Sequence, residues 1–327
     1  RLKLLQKLLA DDGVIFISID DTECSNLILI CNEIFGASNF VANVSWQRTY
    51  SPRNDSKGIV SEVEHLVVFS KNPGWQPNKL PRTEAMDSRY KNPDNDVAPW
   101  KSSDAFAPGA ATHQGMVYAI QHPFTGEMLY PSNGRCWRYQ QSSMLEYMQG
   151  WCNYRLENLH DEKERARVCG IDESAVRKDV LAIVLEEPLE VSAAKAQKVY
   201  NRGRWPGFYF TKGGYGGIAR KTYLENVGGR LPTNLWMYEE TGHTDEAKKE
   251  LISLFGGRSP FDTPKPTRLL DFVLKVAGTS ETLMLDSFAG SGTTAHAVLN
   301  ANKADNGNRH FILIEMMDYA DSITAER

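Results

Sequence analysis

The stretch Leu285–Thr294 reads Leu-Asp-Ser-Phe-Ala-Gly-Ser-Gly-Thr-Thr, and it carries the clearest structural signal in the sequence. It predicts a strand that ends at the aspartate, a glycine-rich turn, and a helix that begins at the threonines. Glycine lets the backbone turn tightly and approach a ligand without a Cβ clash. The N–H groups at a helix start favour an anionic or electron-rich ligand group. The pattern lacks both Gly-x-Gly-x-x-Gly and the P-loop lysine. By itself it predicts either a ligand site or an ordinary glycine-rich turn.

Two flanking features favour the ligand site. Glu315 follows the next predicted strand, His310–Ile314, and an acid at this place in a Rossmann-like sheet commonly binds ribose hydroxyls. Upstream, Phe261–Pro266 places two prolines just before a predicted amphipathic helix, Thr267–Ala277. Each feature alone has a plainer explanation, namely a solvated acid or a simple helix entry. Together, in this order, they favour a cofactor site.

The remaining sequence predicts an α/β domain that is interrupted by a long insertion. Before the insertion we predict a helix over about 1–10, a strand over Val14–Ile19, a helix from Thr22 to Gly36, and strands over Phe40–Trp46 and Glu64–Ser70. After it we predict a strand over Leu283–Leu285 and a helix over Thr293–Asn302. Between them, prolines and glycines separate short aromatic segments. We therefore divide the chain into residues 1–74, 75–260 and 261–327, with the first and last parts forming one domain.

The composition excludes several classes of protein. The 327 residues include 37 Lys and Arg against 41 Asp and Glu, and the net charge of −4 argues against a wholly basic nucleic-acid binder. A local basic face remains compatible with this charge. No apolar run approaches the roughly 18 residues that cross a bilayer. The five cysteines form no Cys-x-x-Cys pair and the seven histidines are scattered. We therefore predict reduced thiols in a cytosol, and neither a disulfide framework nor a metal site.

Several segments of the chain resemble amino-methylating DNA methyltransferases, most closely the modification (Mod) subunits of type III restriction–modification systems in the β arrangement of motifs. Asp286–Asn302 and Gly307–Glu315 resemble the S-adenosylmethionine-binding motif of that family. The resemblance covers nearly the whole chain and is weakest over 150–204. The segments that carry it are Asp286–Asn302, Gly307–Glu315, Pro264–Pro266, Asp12–Asp21, Asn32–Gly36, Glu64–Lys71, Cys136–Arg138, Arg220–Glu225 and Pro232–Trp236.

The resemblance implies a Rossmann-like methyltransferase sheet with a large inserted α+β target-recognition domain. Residues 14–20, 40–46 and 64–70 would supply its fifth, sixth and seventh strands, and residues 282–287 and 310–315 its first and second. The third and fourth strands have no counterpart here, so we expect an incomplete sheet with exposed apolar edges. The family's catalytic Asp-Pro-Pro-Tyr motif is also absent from this sequence. The β arrangement places that motif before the first helix, so we assign no catalytic residue to this chain and expect it to be inactive alone.

The implied activity is methyl transfer from S-adenosylmethionine to adenine N6 in a specific DNA sequence. Two alternatives stay open, an N4-cytosine methyltransferase of the same architecture and a non-catalytic module that binds DNA and cofactor. The implied partners are double-stranded DNA, a second copy of the chain and a restriction (Res) helicase–nuclease subunit. The residues that the resemblance assigns to the cofactor are Asp286, Phe288, Ala289, Gly290, Ser291, Gly292, Thr293, Thr294, Glu315, Pro264 and Lys265.

The stretch Arg202–Trp236 combines basic and aromatic residues, a composition that suits DNA contact. Basic groups can meet phosphates, and arginine can read guanine edges. A polar loop from Arg48 to Gly58 adds further cations. The alternatives are a β-rich subdomain with solvated charges and a mobile surface loop. The candidate DNA contacts are Arg48, Arg53, Lys57, Arg202, Arg204, Lys212, Arg220, Lys221 and Arg230.

Two further expectations concern charged segments. We expect Leu156–Val199 to be helical, with the mixed-charge run Asp161–Arg167 on a solvated face. Asp20 and Asp21 follow a predicted strand, and they either face the cofactor crevice or prepare the next helix.

Overall fold

The computed structural model describes residues 1–51 and 58–327, and the chain divides into two compact units. The terminal unit comprises residues 1–81 and 229–327, and the central unit comprises residues 82–228. Residues 229–260, which the sequence predicts to be part of the insertion, lie in the terminal unit. The assignment of functions to these parts stays a prediction.

The first part of the terminal unit alternates helices and strands. Its elements are α1 (Leu2–Leu8), β1 (Val14–Ile19), α2 (Cys24–Phe35), β2 (Phe40–Gln47) and β3 (Val63–Ser70). The predicted elements are confirmed here, each within about two residues at its ends. Apolar runs flanked by turn residues explain the agreement, because such runs are strong strand signals.

The central unit contains many short strands around an aromatic core. Its elements are α3 (Glu84–Asp87), β4 (Trp100–Asp104), β5 (Phe106–Pro108), β6 (Ile120–Gln121), β7 (Met128–Leu129), β8 (Arg135–Trp137), α4 (Gln141–Gln149), β9 (Tyr154–Glu157), α5 (Glu162–Cys169), β10 (Ala182–Leu185), α6 (Leu189–Arg202), β11 (Phe208–Phe210) and β12 (Ile218–Tyr223). They form sheets of order β7-β6-β10-β9, β11-β12-β4 and β5-β8. Trp137, Trp151, Phe208 and Phe210 are buried together at the centre of this unit.

The prediction of continuous helical structure over Leu156–Val199 is wrong. The fully buried strand β10 lies in this segment and pairs with β9. The charged run also differs from the expected solvated face, because the side chain of Arg165 is only 1% exposed. Its Nε donates to Asp161 Oδ1 at 2.7 Å, and its Nη1 donates to the carbonyl oxygen of Arg177 at 2.6 Å. A buried arginine needs such partners. The i,i+4 spacing of Asp161 and Arg165 is visible in the sequence, but the contact with the carbonyl oxygen of Arg177 is not.

The second part of the terminal unit returns to α/β structure. Its elements are β13 (Leu235–Trp236), α7 (Tyr238–Thr241), α8 (Thr244–Leu254), α9 (Thr267–Ala277), β14 (Leu283–Asp286), α10 (Thr293–Asp305) and β15 (His310–Leu313), followed by a π-helical turn over Ala320–Ala325. The elements predicted around the glycine-rich turn are confirmed. Among the residues with described coordinates, none forms a helix long and apolar enough to span a bilayer.

Two sheets and their covering helices build the terminal unit. The larger sheet has the order β1-β3-β2-β13, with β3 antiparallel to both β1 and β2. Helix α2 buries Cys31 and Phe35 against Phe69 of β3. On β2, Trp46 packs in a cluster with Phe272 of α9. The smaller sheet pairs β14 and β15 in parallel. The unit is therefore a mixed α/β structure with helices packed on sheets.

The smaller sheet exposes apolar side chains. Leu283 of β14 is 60% exposed and Ile312 of β15 is 47% exposed. Strands of a complete sheet bury such residues against neighbouring elements.

Candidate functional site

The turn between β14 and α10 has the backbone conformation that its glycines permit. Gly290 has φ +52° and Gly292 has φ +76°, both in the left-handed region that favours glycine. A Cβ on Gly292 would lie 2.8 Å from the carbonyl oxygen of Thr324. The close approach of Thr324 therefore requires glycine at position 292. We call residues Asp286–Thr294 the glycine loop.

Two carboxylates bind main-chain N–H groups of the glycine loop. Asp286 Oδ1 accepts from the N–H of Phe288 at 3.1 Å, and Oδ2 accepts from the Thr294 hydroxyl at 2.6 Å. Glu315 Oε2 accepts from the N–H of Gly290 at 2.9 Å. Its Oε1 accepts from the N–H groups of Met316 and Met317 at 2.7 and 3.0 Å. The predicted juxtaposition of Glu315 with the glycine loop is therefore present.

These contacts keep Glu315 anionic near neutral pH. Partial burial raises the pKa of its carboxyl, but the N–H groups of Gly290, Met317 and Met316 outweigh burial and lower the pKa below its ordinary value. The carboxylate can accept further hydrogen bonds, since its oxygens offer about four lone-pair positions.

The hydroxyl side chains at the start of α10 point into the protein. Ser291, Thr293 and Thr294 are buried. Thr293 donates to the carbonyl oxygen of Lys265 at 3.1 Å, and Arg327 Nη1 donates to Thr293 Oγ1 at 2.9 Å and to Ser291 Oγ at 3.1 Å. Their hydroxyls thus hold the loop in place. Among the predicted cofactor residues, Phe288 is the most exposed side chain of the loop, at 68%.

A network of charges connects Lys265 to the larger sheet. Lys265 Nζ lies 2.6 Å from Glu64 Oε2, and Arg48 Nη1 lies 3.2 Å from Glu64 Oε1. The ammonium of Lys265 is also 5.6 Å from the ring centroid of Trp46. Pro264 is buried beside it. Lys265, a predicted cofactor contact, and Arg48, a predicted DNA contact, therefore both pair with the carboxylate of Glu64.

Asp20 and Asp21 take different roles at the carboxyl end of β1. Asp20 Oδ1 accepts from the N–H of Thr22 at 3.1 Å, which prepares the following turn. Asp21 lies 2.7 Å from His65 Nε2 and accepts from the Ser61 hydroxyl at 3.1 Å. The hydrogen bond from His65, followed by that from Ser61, lowers the pKa of Asp21. Of the nearby predicted contacts, Arg53 and Lys57 lie outside the described residues.

Three of the predicted DNA contacts are exposed on the central unit. They are Arg202, Arg204 and Lys212. Arg204 and Lys212 have φ of +51° and +50°, so tight turns present both cations. Arg220 on β12 is half-buried. Arg230 lies in the terminal unit and pairs with Glu240.

The structure contradicts the prediction that Lys221 contacts DNA. Its side chain is fully buried, and its ammonium lies 2.5 Å from both Asp94 Oδ2 and Asp96 Oδ2. It also donates to the carbonyl oxygen of Trp205 at 2.7 Å. A lysine has three N–H donors, and these three partners use all of them. No donor is left for a phosphate group.

A family model described as DNA methylase matches residues 1–326. The chain belongs to the DNA methylase family. Three relatives match almost the whole chain.

The first is the StyLTI Mod subunit of a type III restriction–modification enzyme from Salmonella typhimurium, 32% identical over 316 residues that cover 96% of this methylase chain and 39% of the relative. The second is the EcoPI Mod subunit from Escherichia phage P1, 27% identical, with 96% and 44% covered. The third is the type II methyltransferase M.KpnI from Klebsiella pneumoniae, 27% identical, with 96% and 65% covered. The chain thus spans between 39% and 65% of the length of these relatives.

Sequence reasoning missed two charged residues of this methylase that support the predicted site. Arg327 has a fully buried side chain below the glycine loop, where its Nη2 lies 3.0 Å from Glu250 Oε2. Glu64 joins Lys265 to Arg48. Arg327 stands in no recognisable motif, and Glu64 begins a segment that carries the resemblance, Glu64–Lys71, but that segment assigns Glu64 no role in the site. Only their long-range partners reveal their roles, and a single sequence carries no signal for such pairs.

Proposed function

We propose that this chain binds S-adenosylmethionine and DNA as part of a restriction–modification DNA methyltransferase that methylates adenine N6 in a specific sequence. The single observation that carries the proposal is the glycine loop tied to Glu315 through the N–H of Gly290, in a chain of the DNA methylase family. The Mod subunits among its relatives support the type III context.

The donor set of the glycine loop fits this cofactor. S-adenosylmethionine carries a cationic sulfonium and an ammonium group, which favour a site that contains carboxylates. Asp286 and Glu315 supply two carboxylates, and Glu315 retains acceptor capacity for ribose hydroxyls. The exposed ring of Phe288 and the exposed side chain of Met316 offer apolar surface for an adenine ring. We therefore propose that Asp286–Thr294, Glu315, Pro264 and Lys265 hold the cofactor.

The bound cofactor would supply a methyl group made electrophilic by the sulfonium. In our proposal, the chain's own residues bind and orient. Glu315 stays anionic and fixes the loop. Lys265, held by Glu64, keeps the segment before α9 against the larger sheet. The buried Arg327 holds Ser291 and Thr293 and so maintains the start of α10.

We further propose that both sheets of the terminal unit belong to one Rossmann-like methyltransferase sheet. The order β1-β3-β2 with an antiparallel β3 supports this, because the resemblance assigns these strands as fifth, seventh and sixth. The central unit, residues 82–228, would read the DNA target. Its exposed Arg202, Arg204 and Lys212 would contact phosphates. A second copy of the chain and a Res subunit are the proposed protein partners.

Cofactor binding provides the first test. Calorimetric titration of the chain with S-adenosylmethionine should show saturable binding, and Gly290→Val should abolish it, because a β-branched residue is strained at φ +52° and its Cβ would come within 3.3 Å of Phe261. Gly256→Ala is the matched control, since Gly256 also has positive φ but has open space around it. An unchanged affinity of Gly290→Val would refute the role of the glycine loop.

Methyl transfer provides the second test. The chain, and any longer protein that contains it, would be incubated with tritiated S-adenosylmethionine and unmethylated DNA. The chain alone should transfer no label, because its sequence lacks the Asp-Pro-Pro-Tyr motif, and nucleoside analysis of the DNA treated with the longer protein should find N6-methyladenine. N4-methylcytosine would transfer the proposal to the cytosine alternative. Binding of cofactor and DNA without methyl incorporation by any version would support a non-catalytic module.

A further inference from the structure

A polar cleft lies on the central unit, outside the groups that the proposed function uses. Its volume is about 430 Å³, within the range of about 300–1,000 Å³ that is common for ligand sites. Its polar lining comprises Thr112, His113, Gln114, Gln140 and Arg177. The lining contains no carboxylate.

One wall of the cleft is anchored from beneath. The N–H of Arg177 donates to Gln114 Oε1 at 2.7 Å, and the carbonyl oxygen of Arg177 accepts from the buried Arg165 at 2.6 Å. Arg165 is itself held by Asp161. The main chain at Arg177 is therefore fixed although its side chain is exposed.

The other wall presents a glutamine with an unoccupied amide. The carbonyl oxygen of Tyr139 accepts from the Tyr118 hydroxyl at 2.9 Å, and the amide of Gln141 donates to the carbonyl oxygen of Leu181. The first bond holds the main chain before Gln140, and the second, which comes from the side chain of Gln141, ties the residue after Gln140 to Leu181. The side chain of Gln140 is exposed and forms no hydrogen bond with any residue in 1–51 or 58–327.

The guanidinium of Arg177 has hydrogen-bond donors but little net charge to offer. Its Nε and Nη2 lie 2.6 and 2.7 Å from the carboxylate of Asp179, and both side chains are more than half exposed. Such an exposed pair contributes little to stability, but it places a carboxylate against the guanidinium. Nη1 lies over Gly115, where a Cβ would be 2.9 Å away. Because Asp179 neutralises the charge, this arginine suits a neutral base edge better than a phosphate.

We propose that this cleft reads base edges of DNA, with Gln140 and Arg177 as specificity-determining side chains. Glutamine pairs with the N6 and N7 atoms of adenine, and arginine pairs with the O6 and N7 atoms of guanine. The cleft would thus read the DNA sequence, whereas the exposed cations Arg204 and Lys212 would contact phosphates, which carry no sequence information. This inference rests on the proposed function, because it requires that the central unit binds DNA.

The test is selection of bound duplexes from a pool with a randomised segment, using the unmodified chain, Gln140→Ala and Arg177→Ala. Each variant should lose preference at one or two positions of the selected sequence, by about tenfold or more, and retain it at the others. Affinity for unselected DNA should stay within about threefold, because phosphate contacts are untouched. Gly115→Ala should move the Arg177 guanidinium and affect the same positions as Arg177→Ala.

Matched controls separate base reading from general effects. Gln197→Ala removes a glutamine on α6 of the same unit, and Arg167→Ala removes an arginine in an exposed pair with Glu164. Neither should change the selected sequence. The inference is overturned if Gln140→Ala and Arg177→Ala select the same sequence as the unmodified chain, or if they weaken all sequences equally. If the unmodified chain selects no sequence, the proposed DNA-reading function fails and this inference fails with it.

Discussion

Glu315 accepts three main-chain N–H groups, one from the glycine loop and two from its own turn. The sequence predicted that Glu315 and the loop lie together, because an acid after the second strand is a regular feature of this architecture. It did not predict the burial of Arg165, Lys221 or Arg327. Each of these cations is buried against acids, and those of Lys221 and Arg327 are remote in sequence. Burial of a charge depends on such partners, which a single sequence does not identify.

Glu315→Gln should weaken S-adenosylmethionine binding by about 10- to 100-fold, since hydrogen bonds to a charged group contribute roughly 1.5–3 kcal/mol. The amide keeps one oxygen acceptor for the loop, so the fold should persist. Calorimetry would measure the affinity and circular dichroism the fold. Glu281→Gln, on an exposed glutamate near the start of β14, is the control. Equal affinities for both variants would contradict a cofactor role for Glu315.

His122 should make the central unit less stable in acid. Its Nδ1 accepts from the N–H groups of Phe124 and Thr125 at 3.1 and 3.2 Å, so the ring is neutral, and burial lowers its pKa. The unfolded chain, with a histidine pKa of about 6.5, then binds more protons than the folded chain. The free energy of unfolding should therefore fall as pH decreases below about 6.5. Urea titrations at pH 7.5 and 5.5 would measure this fall, and His122→Gln should reduce it. An identical pH dependence in both proteins would exclude the histidine as its source.

Among the elements, strands with continuous apolar runs were predictable and the short strands of the central unit were not. β1 and β3 follow runs of apolar residues bounded by turns. β10 lies between charged segments and is stabilised by pairing with β9 and β6. Its own apolar run, Val180–Leu185, is a strand signal, and the charged residues on both sides of the run masked it. Successive side chains of a strand point to opposite faces of the sheet, and the neighbouring cations of β12 therefore differ in burial. Lys221 points to the core, while Arg220 is half-buried.

Lys221→Met should destabilise the central unit by about 3–5 kcal/mol, because Asp94 and Asp96 would keep their hydrogen-bond donors but lose the cation that balances two buried charges. Lys212→Met is the matched variant at an exposed lysine and should change stability by less than about 0.5 kcal/mol. In DNA binding, Lys212→Met should reduce the salt slope by about one. Thermal unfolding and anisotropy titrations at several salt concentrations would measure both effects. A stable Lys221→Met protein with reduced DNA affinity would restore Lys221 to the DNA contacts.

At the scale of the whole molecule, the chain leaves and re-enters the terminal unit at paired residues. The N–H of Leu80 donates to the carbonyl oxygen of Arg230 at 2.8 Å, and the reverse bond is 2.9 Å long. The sequence predicted an interrupted α/β domain from the return of the pattern after Pro260. It did not predict the earlier return, because β13 has only two residues and becomes a strand through pairing with β2.

Replacing residues 82–228 with a short Gly-Ser linker should leave the terminal unit folded, because Leu80 and Arg230 already hold the two chain ends together and closing a short loop costs little. Circular dichroism and a cooperative thermal transition would show the retained fold. S-adenosylmethionine binding should persist in this deletion variant, while selective DNA binding should be lost. A variant without a cooperative transition would show that the terminal unit needs the central unit.

The pairing of Leu80 with Arg230 also has an evolutionary consequence. A gene that recombines at these two neighbouring positions exchanges the whole central segment and preserves every strand and helix of the terminal unit. Under the proposed function, one such exchange would give a new DNA specificity without any compensating mutation around the glycine loop. Selection acts separately on the two parts, so the central segment should diverge faster among descendants than the sheet that carries it.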